Sequence, residues 1–155
     1  KQAATGLSRI GTETCILAFA TTLGTVFEAS LPHMGLLDWL TARNFAAPVV
    51  ILIVIMTMNI AGLAGVHAIV TGTVILVVFT SMPTGVADLV LMQALLVGWG
   101  LCSGISIGSL SVATGAAMFR LPPTQLVSRA NIVFVFSLSI VIVGILSALN
   151  LLLTG

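Results

Sequence analysis

The residues with the most chemical capacity lie in the least polar parts of this chain. From Asn44 to Ala87 no residue is formally charged, yet Asn59, Gly62, Gly65, His67, Thr71 and Thr73 crowd together there. A second cluster, "GWGLCSGISIGS" and the residues after it, holds Ser103, Ser106, Ser109, Ser111 and Thr114. These are neutral hydrogen-bonding groups with one titratable imidazole. Such a set suits reversible binding of a small polar or anionic solute. Histidine changes charge near neutral pH, so His67 is a candidate proton-coupling or substrate-orienting group. The glycines add a second resource. Where an apolar helix unwinds, freed N–H groups attract anions and freed carbonyls attract cations. The candidate binding residues are therefore Asn59, Gly65, His67, Thr71, Ser103, Ser106 and Ser109.

Each of these residues also has a plain structural reading. A neutral histidine satisfies itself on a backbone group. Serine and threonine in apolar helices bond back to their own backbone. Gly100, Gly104 and Gly108 form a small-xxx-small repeat of the kind used in tight helix packing.

Other chemistries find little support. No Cys, His, Asp and Glu cluster has metal-ligand spacing, so no metal or other cofactor is expected. Cys15 and Cys102 read as two small residues in apolar surroundings, with a disulfide between them the unsupported alternative. There is no pair of acids and no nucleophile–base pair, and Arg120 and Arg129 are the only cations placed to hold a diphosphate, so an enzyme is not expected. A net charge of +1 without a basic patch gives no basis for a nucleic-acid partner.

The elements that position these groups follow from hydropathy. Hydrophobic residues make up 59 % of the chain and charged residues 6 %. Soluble domains carry about 25 % charge. The expectation is an all-α integral membrane protein in contact with lipid, with a thin aromatic belt of Trp39 and Trp99 and no tyrosine. The opening "KQAATGLSR" reads as a loop of something longer. Thr12 to Ala29 reads as a first span, and "LPHMGLLDWLTARN" as a short interfacial helix or an ordinary loop. Phe45 to Met82 would be roughly 55 Å long as one helix, nearly twice a bilayer's hydrocarbon core. It must bend near Gly62–Gly65, giving either two short spans or a re-entrant hairpin. Asp88 to Phe119, roughly 48 Å, must break around "GWGLCSGISIGS". Asn131 to Leu153 reads as a last span.

The five cations set an orientation. If the second region returns to its own side and the third crosses once, Lys1, Arg9, Arg120 and Arg129 share one face and Arg43 stands alone. That split puts the N-terminus on the cytoplasmic side of a multi-pass membrane protein.

Span, interfacial helix, hairpin with a polar tip, broken helix and last span follow one another in an order that resembles the C-terminal half of ion transporter superfamily proteins, the group of the divalent-anion/sodium symporters. The segments "GVHAIVTGTVIL", "GISIGSLSV" and "FRLPPTQLVSRANIVF" look like the hairpin and broken-helix regions of uncharacterised bacterial members. The resemblance covers Arg9 to Leu153. It implies a scaffold-like part, 1–44, and a transport-like part, 45–155. It also implies a homodimer and a missing N-terminal half, on this or another chain. The Ser-Asn-Thr signature of the divalent-anion symporters does not occur here; the tip holds Asn59 and His67. The function expected is secondary active transport of a small polar or anionic solute coupled to H⁺ or Na⁺. The alternative is a structural or assembly subunit of a larger membrane complex.

Overall fold

The computed structural model describes residues 2–107 and 109–155, with side chains described at Gly11, Thr14 and Cys15 and from Ala18 onward. Lys1, Gly108 and the side chain of Arg9 lie outside the described residues. Among the described residues the chain is all-helical, with no strand. Its elements are α1 (Gln2–Ser30), a 3₁₀ turn (Leu31–His33), α2 (Leu36–Arg43), α3 (Ala47–Leu63), α4 (Ala68–Thr80), α5 (Asp88–Ser103), α6 (Leu110–Phe119), α7 (Pro123–Leu126) and α8 (Arg129–Thr154).

The opening segment is not a loop. Helix α1 starts at Gln2 and runs through it. Polar composition does not stop a helix, and Gln2, Ala3 and Ala4 favour one. The first break comes at Leu31-Pro32, because Pro32 has no N–H to continue the helical ladder, and the chain tightens into the 3₁₀ turn. Helix α2 presents Leu40 inward, leaving Trp39 and Arg43 outside with the guanidinium 5.2 Å from the indole centroid. Asn44, at φ 44°, ends it in the left-handed conformation, and Pro48 opens α3 at a position where its missing N–H costs nothing.

The long apolar regions are interrupted where their lengths require. Helix α3 closes in a left-handed turn at Gly65, φ +83°. Val66 N–H donates to Ala61 O at 2.9 Å and Gly65 N–H to Gly62 O at 3.0 Å. This paired bonding favours glycine at the turn, since a Cβ opposes that φ. Helix α5 tightens into shorter-range bonds at its end, with Gly104 N–H on Leu101 O and Ile105 N–H on Cys102 O, both 3.1 Å. Residues 104–109 then separate it from α6, with Ile105 fully buried as an anchor.

Helices α3, α5 and α8 pack on one another, and α4 lies between α3 and α1. The core is built from Ile51, Val54, Ile55 and Met58 of α3, Val90, Leu91 and Ala94 of α5, and Leu146 of α8. The same cluster includes Leu31 and Leu40. The α3–α5 approach is set by small residues. A Cβ on Gly98 would lie 3.0 Å from Met58 Cβ and Cγ and 3.4 Å from Ile55 Cα, and one on Gly62 would lie 2.9 Å from Cys102 Cβ. The working stripe on α5 is therefore Ala94, Gly98 and Cys102. Gly100 and Gly104 are exposed, and nothing packs within 4 Å of a Cβ on Gly100. A Cβ on Gly24 would collide with the Thr73 methyl, which marks the close contact of α1 with α4.

Two asparagines fasten this bundle. Asn150 of α8 accepts from Ala87 N–H at 2.8 Å and donates to Gly85 O at 3.1 Å, so it holds the start of α5. Asn59 donates to Ser139 Oγ at 2.9 Å, and Ser139 donates on to Val135 O at 2.7 Å. Among the described residues α8 is the one helix both long and apolar enough to cross a membrane; α3, α4, α5 and α6 are apolar but shorter. The first region, expected as a span, forms α1, whose apolar residues are interleaved with Thr21, Thr22, Thr25 and Glu28.

Candidate functional site

The two interruptions meet around one cavity of about 420 Å³. The hairpin turn contributes Gly65, His67, Ala68 and Ile69, the end of α5 contributes Trp99, Cys102, Ser103 and Ser106, and the start of α6 contributes Ser109, Leu110 and Ser111. Five of the seven candidates, Gly65, His67, Ser103, Ser106 and Ser109, are thus brought together from positions nearly forty residues apart in sequence.

Two helices start at this cavity, and a candidate residue caps each. His67 is the N-cap of α4, with extended backbone (φ −65°, ψ 133°) and Nδ1 accepting from Ile69 N–H at 3.3 Å. An accepting Nδ1 leaves the neutral ring's proton on Nε2. Ser109 is the N-cap of α6. Its Oγ accepts from Val112 N–H at 3.1 Å and donates to Ser103 O at 2.6 Å. One hydroxyl therefore satisfies groups on both sides of the helix break. The first-turn N–H groups of any helix lack intrahelical acceptors, and each N-terminus carries roughly half a positive charge. Here α4 and α6 both present that end to the same space.

The serines divide by role. Ser103 donates to Trp99 O at 2.9 Å, the back-bond expected of a helical serine. Ser109 is committed to both half-helices. Ser106 is 6 % exposed and lines the cavity, and no described residue hydrogen-bonds its hydroxyl. The described lining includes no Asp, Glu, Lys or Arg; its remainder is apolar, from Ile69, Trp99 and Leu110.

Asn59 and Thr71 are not among the lining residues. Asn59 is fully buried on α3, and its Oδ1 has no hydrogen-bond partner. Thr71 is buried one turn into α4. Thr73 bonds back to Ile69 O at 2.8 Å. Trp99 and Cys102 line the cavity without having been singled out as ligands. Their signal was present as helical spacing: 99, 102, 103 and 106 fall on one face of α5 and its continuation. A second cavity, of about 490 Å³, lies at the opposite end of α3 between Thr41, Asn44, Met82 and Thr84.

No family model, curated protein or solved structure matches this chain.

Proposed function

We propose that this chain is a secondary active transporter or its C-terminal half, moving a small polar or anionic solute with H⁺ or Na⁺. The observation that carries the reading is the cavity shared by two interrupted apolar segments, with the N-termini of α4 and α6 both facing it. Paired broken segments are the strongest pointer to a transporter's binding site, which sits where irregular backbone lines a cavity.

Lengths agree with this assignment. Helices α3 and α4 have 17 and 13 residues, about 26 and 20 Å at the α-helical rise, short of the roughly 30 Å hydrocarbon core. A pair of that size suits a re-entrant hairpin, and α8 suits a full span. Its outward residues Phe134, Ile140, Val141, Ile145 and Leu152 are all more than half exposed, as a lipid-facing surface requires. The arrangement of hairpin and broken helix is what the likeness to the ion transporter superfamily implies. In that reading the protein sits in a bacterial inner membrane as a homodimer, completed by an inverted N-terminal half.

The test is uptake of labelled solutes by the reconstituted full-length protein under imposed H⁺ and Na⁺ gradients. Gradient-driven uptake is expected. If His67→Ala leaves both uptake and its pH dependence unchanged, His67 has no coupling role. A chain that shows no uptake and stays in a stable complex through detergent purification is instead an assembly subunit.

A further inference from the structure

The geometry points to a short, water-soluble, singly charged carboxylate as the ligand of the cavity between α4 and α6, an assignment that rests on the transport reading and narrows it. The described lining has no cationic side chain. What it offers an anion is the ends of two helices of 13 and 10 residues. At roughly half a unit each, these sum to about one positive charge. One carboxylate balances that, whereas a second would sit desolvated with no counter-charge.

An independent observation marks the place as a binding site rather than a chance gap. Ser106 is 6 % exposed, lines the same cavity, and no described residue hydrogen-bonds its hydroxyl. Its neighbours Ser103 and Ser109 have given their protons to backbone carbonyls. Because Ser106 lines the cavity, a ligand or water there can supply the partner that its hydroxyl lacks in the protein. His67, also in the lining, adds a ring N–H, because an Nδ1 that accepts from Ile69 N–H leaves a proton on Nε2. Hydrogen bonds from neutral donors to a carboxylate are charge-assisted and short. Trp99, Ile69 and Leu110 then receive an apolar body. The ligand is thus a carboxylate head on a small apolar or aromatic tail.

Isothermal titration of the detergent-purified full-length protein with butyrate, benzoate, succinate, benzamide and oleate tests this. Butyrate and benzoate should bind saturably. Succinate and neutral benzamide should each be weaker by about tenfold or more, because one brings an unpaired charge and the other none. Ser106→Ala should weaken benzoate by about tenfold, the loss of one hydrogen bond to a charged group. The ranking of ligands is read on the unmodified protein and does not depend on that variant folding. Succinate equal to or tighter than benzoate, a preference for oleate, or no saturable monocarboxylate binding overturns the assignment. Proteoliposome uptake run alongside separates the two claims. Uptake of some other solute without monocarboxylate binding leaves transport standing and sinks this ligand; benzoate binding without uptake upholds this ligand and sinks transport.

Discussion

Replacing Gly98 by alanine measures how closely α3 and α5 are held. The new Cβ would lie 3.0 Å from Met58 Cβ and Cγ and 3.4 Å from Ile55 Cα. Ordinary carbon contacts are about 3.5–4.0 Å. Met58 Cβ is fixed to its backbone and Ile55 Cα belongs to it, so no rotamer change relieves the contact and the helices must separate. Overpacking of this kind costs about 1–3 kcal/mol. Alanine also recovers up to about 1 kcal/mol of helix propensity over glycine. Gly100, two residues on in the same helix, has nothing within 4 Å of its Cβ position. Gly100→Ala therefore reports the propensity gain alone, and the difference between the two variants is the overpacking cost of about 1–3 kcal/mol. Denaturant unfolding in mild detergent, followed by helical circular dichroism, gives both values. Gly100→Ala should be neutral or stabilising and Gly98→Ala destabilising relative to it. Equal effects would refute the close approach of α3 and α5 at Gly98.

Three further outcomes are expected. Ser109→Ala removes the cap on Val112 N–H and the bond to Ser103 O, so it should destabilise by about 1–2 kcal/mol in the same unfolding assay; Ser109→Thr should recover most of this. Asn150→Leu strands Ala87 N–H and Gly85 O together and should cost about 2 kcal/mol or more, with faster amide exchange at residues 84–88 as the local signature. The Asn59–Ser139 pair should show a coupling of only about 0.6 kcal/mol in a double-mutant cycle in lipid. Asn59→Leu combined with Ser139→Ala should be close to neutral, because the Asn59 carbonyl already lacks a partner.

Helix content and the two interruptions were legible because length arithmetic demands them. A run as long as Phe45 to Met82 has to bend, and Gly65 is the residue that takes the left-handed angle. The meeting of Gly65, His67, Ser103, Ser106 and Ser109 was legible as composition only; it takes the packing of α3 against α5 to bring turn and break together. What stayed hidden depends on side-chain direction. Gly98 and Gly100 both lie on α5, and composition does not say which faces α3: Gly98 does, and Gly100 does not. Asn59 lies only eight residues before His67 yet points to α8, since those residues include the end of one helix and a reversing turn. The start of the chain is helical although its composition suits a loop, because polar residues, and even a single glycine such as Gly6, do not by themselves end a helix.

The hairpin turn before α4 and the helix break before α6 border one shared cavity. Paired cysteines at Ile69 and Ser111, introduced into full-length protein with Cys15→Ser and Cys102→Ala, test it in native membranes. A short bifunctional maleimide should link the pair within one chain, as seen by the mass of a peptide joining the two segments, and benzoate should slow the reaction. Independent labelling of the two positions, with no joined peptide, would contradict the account.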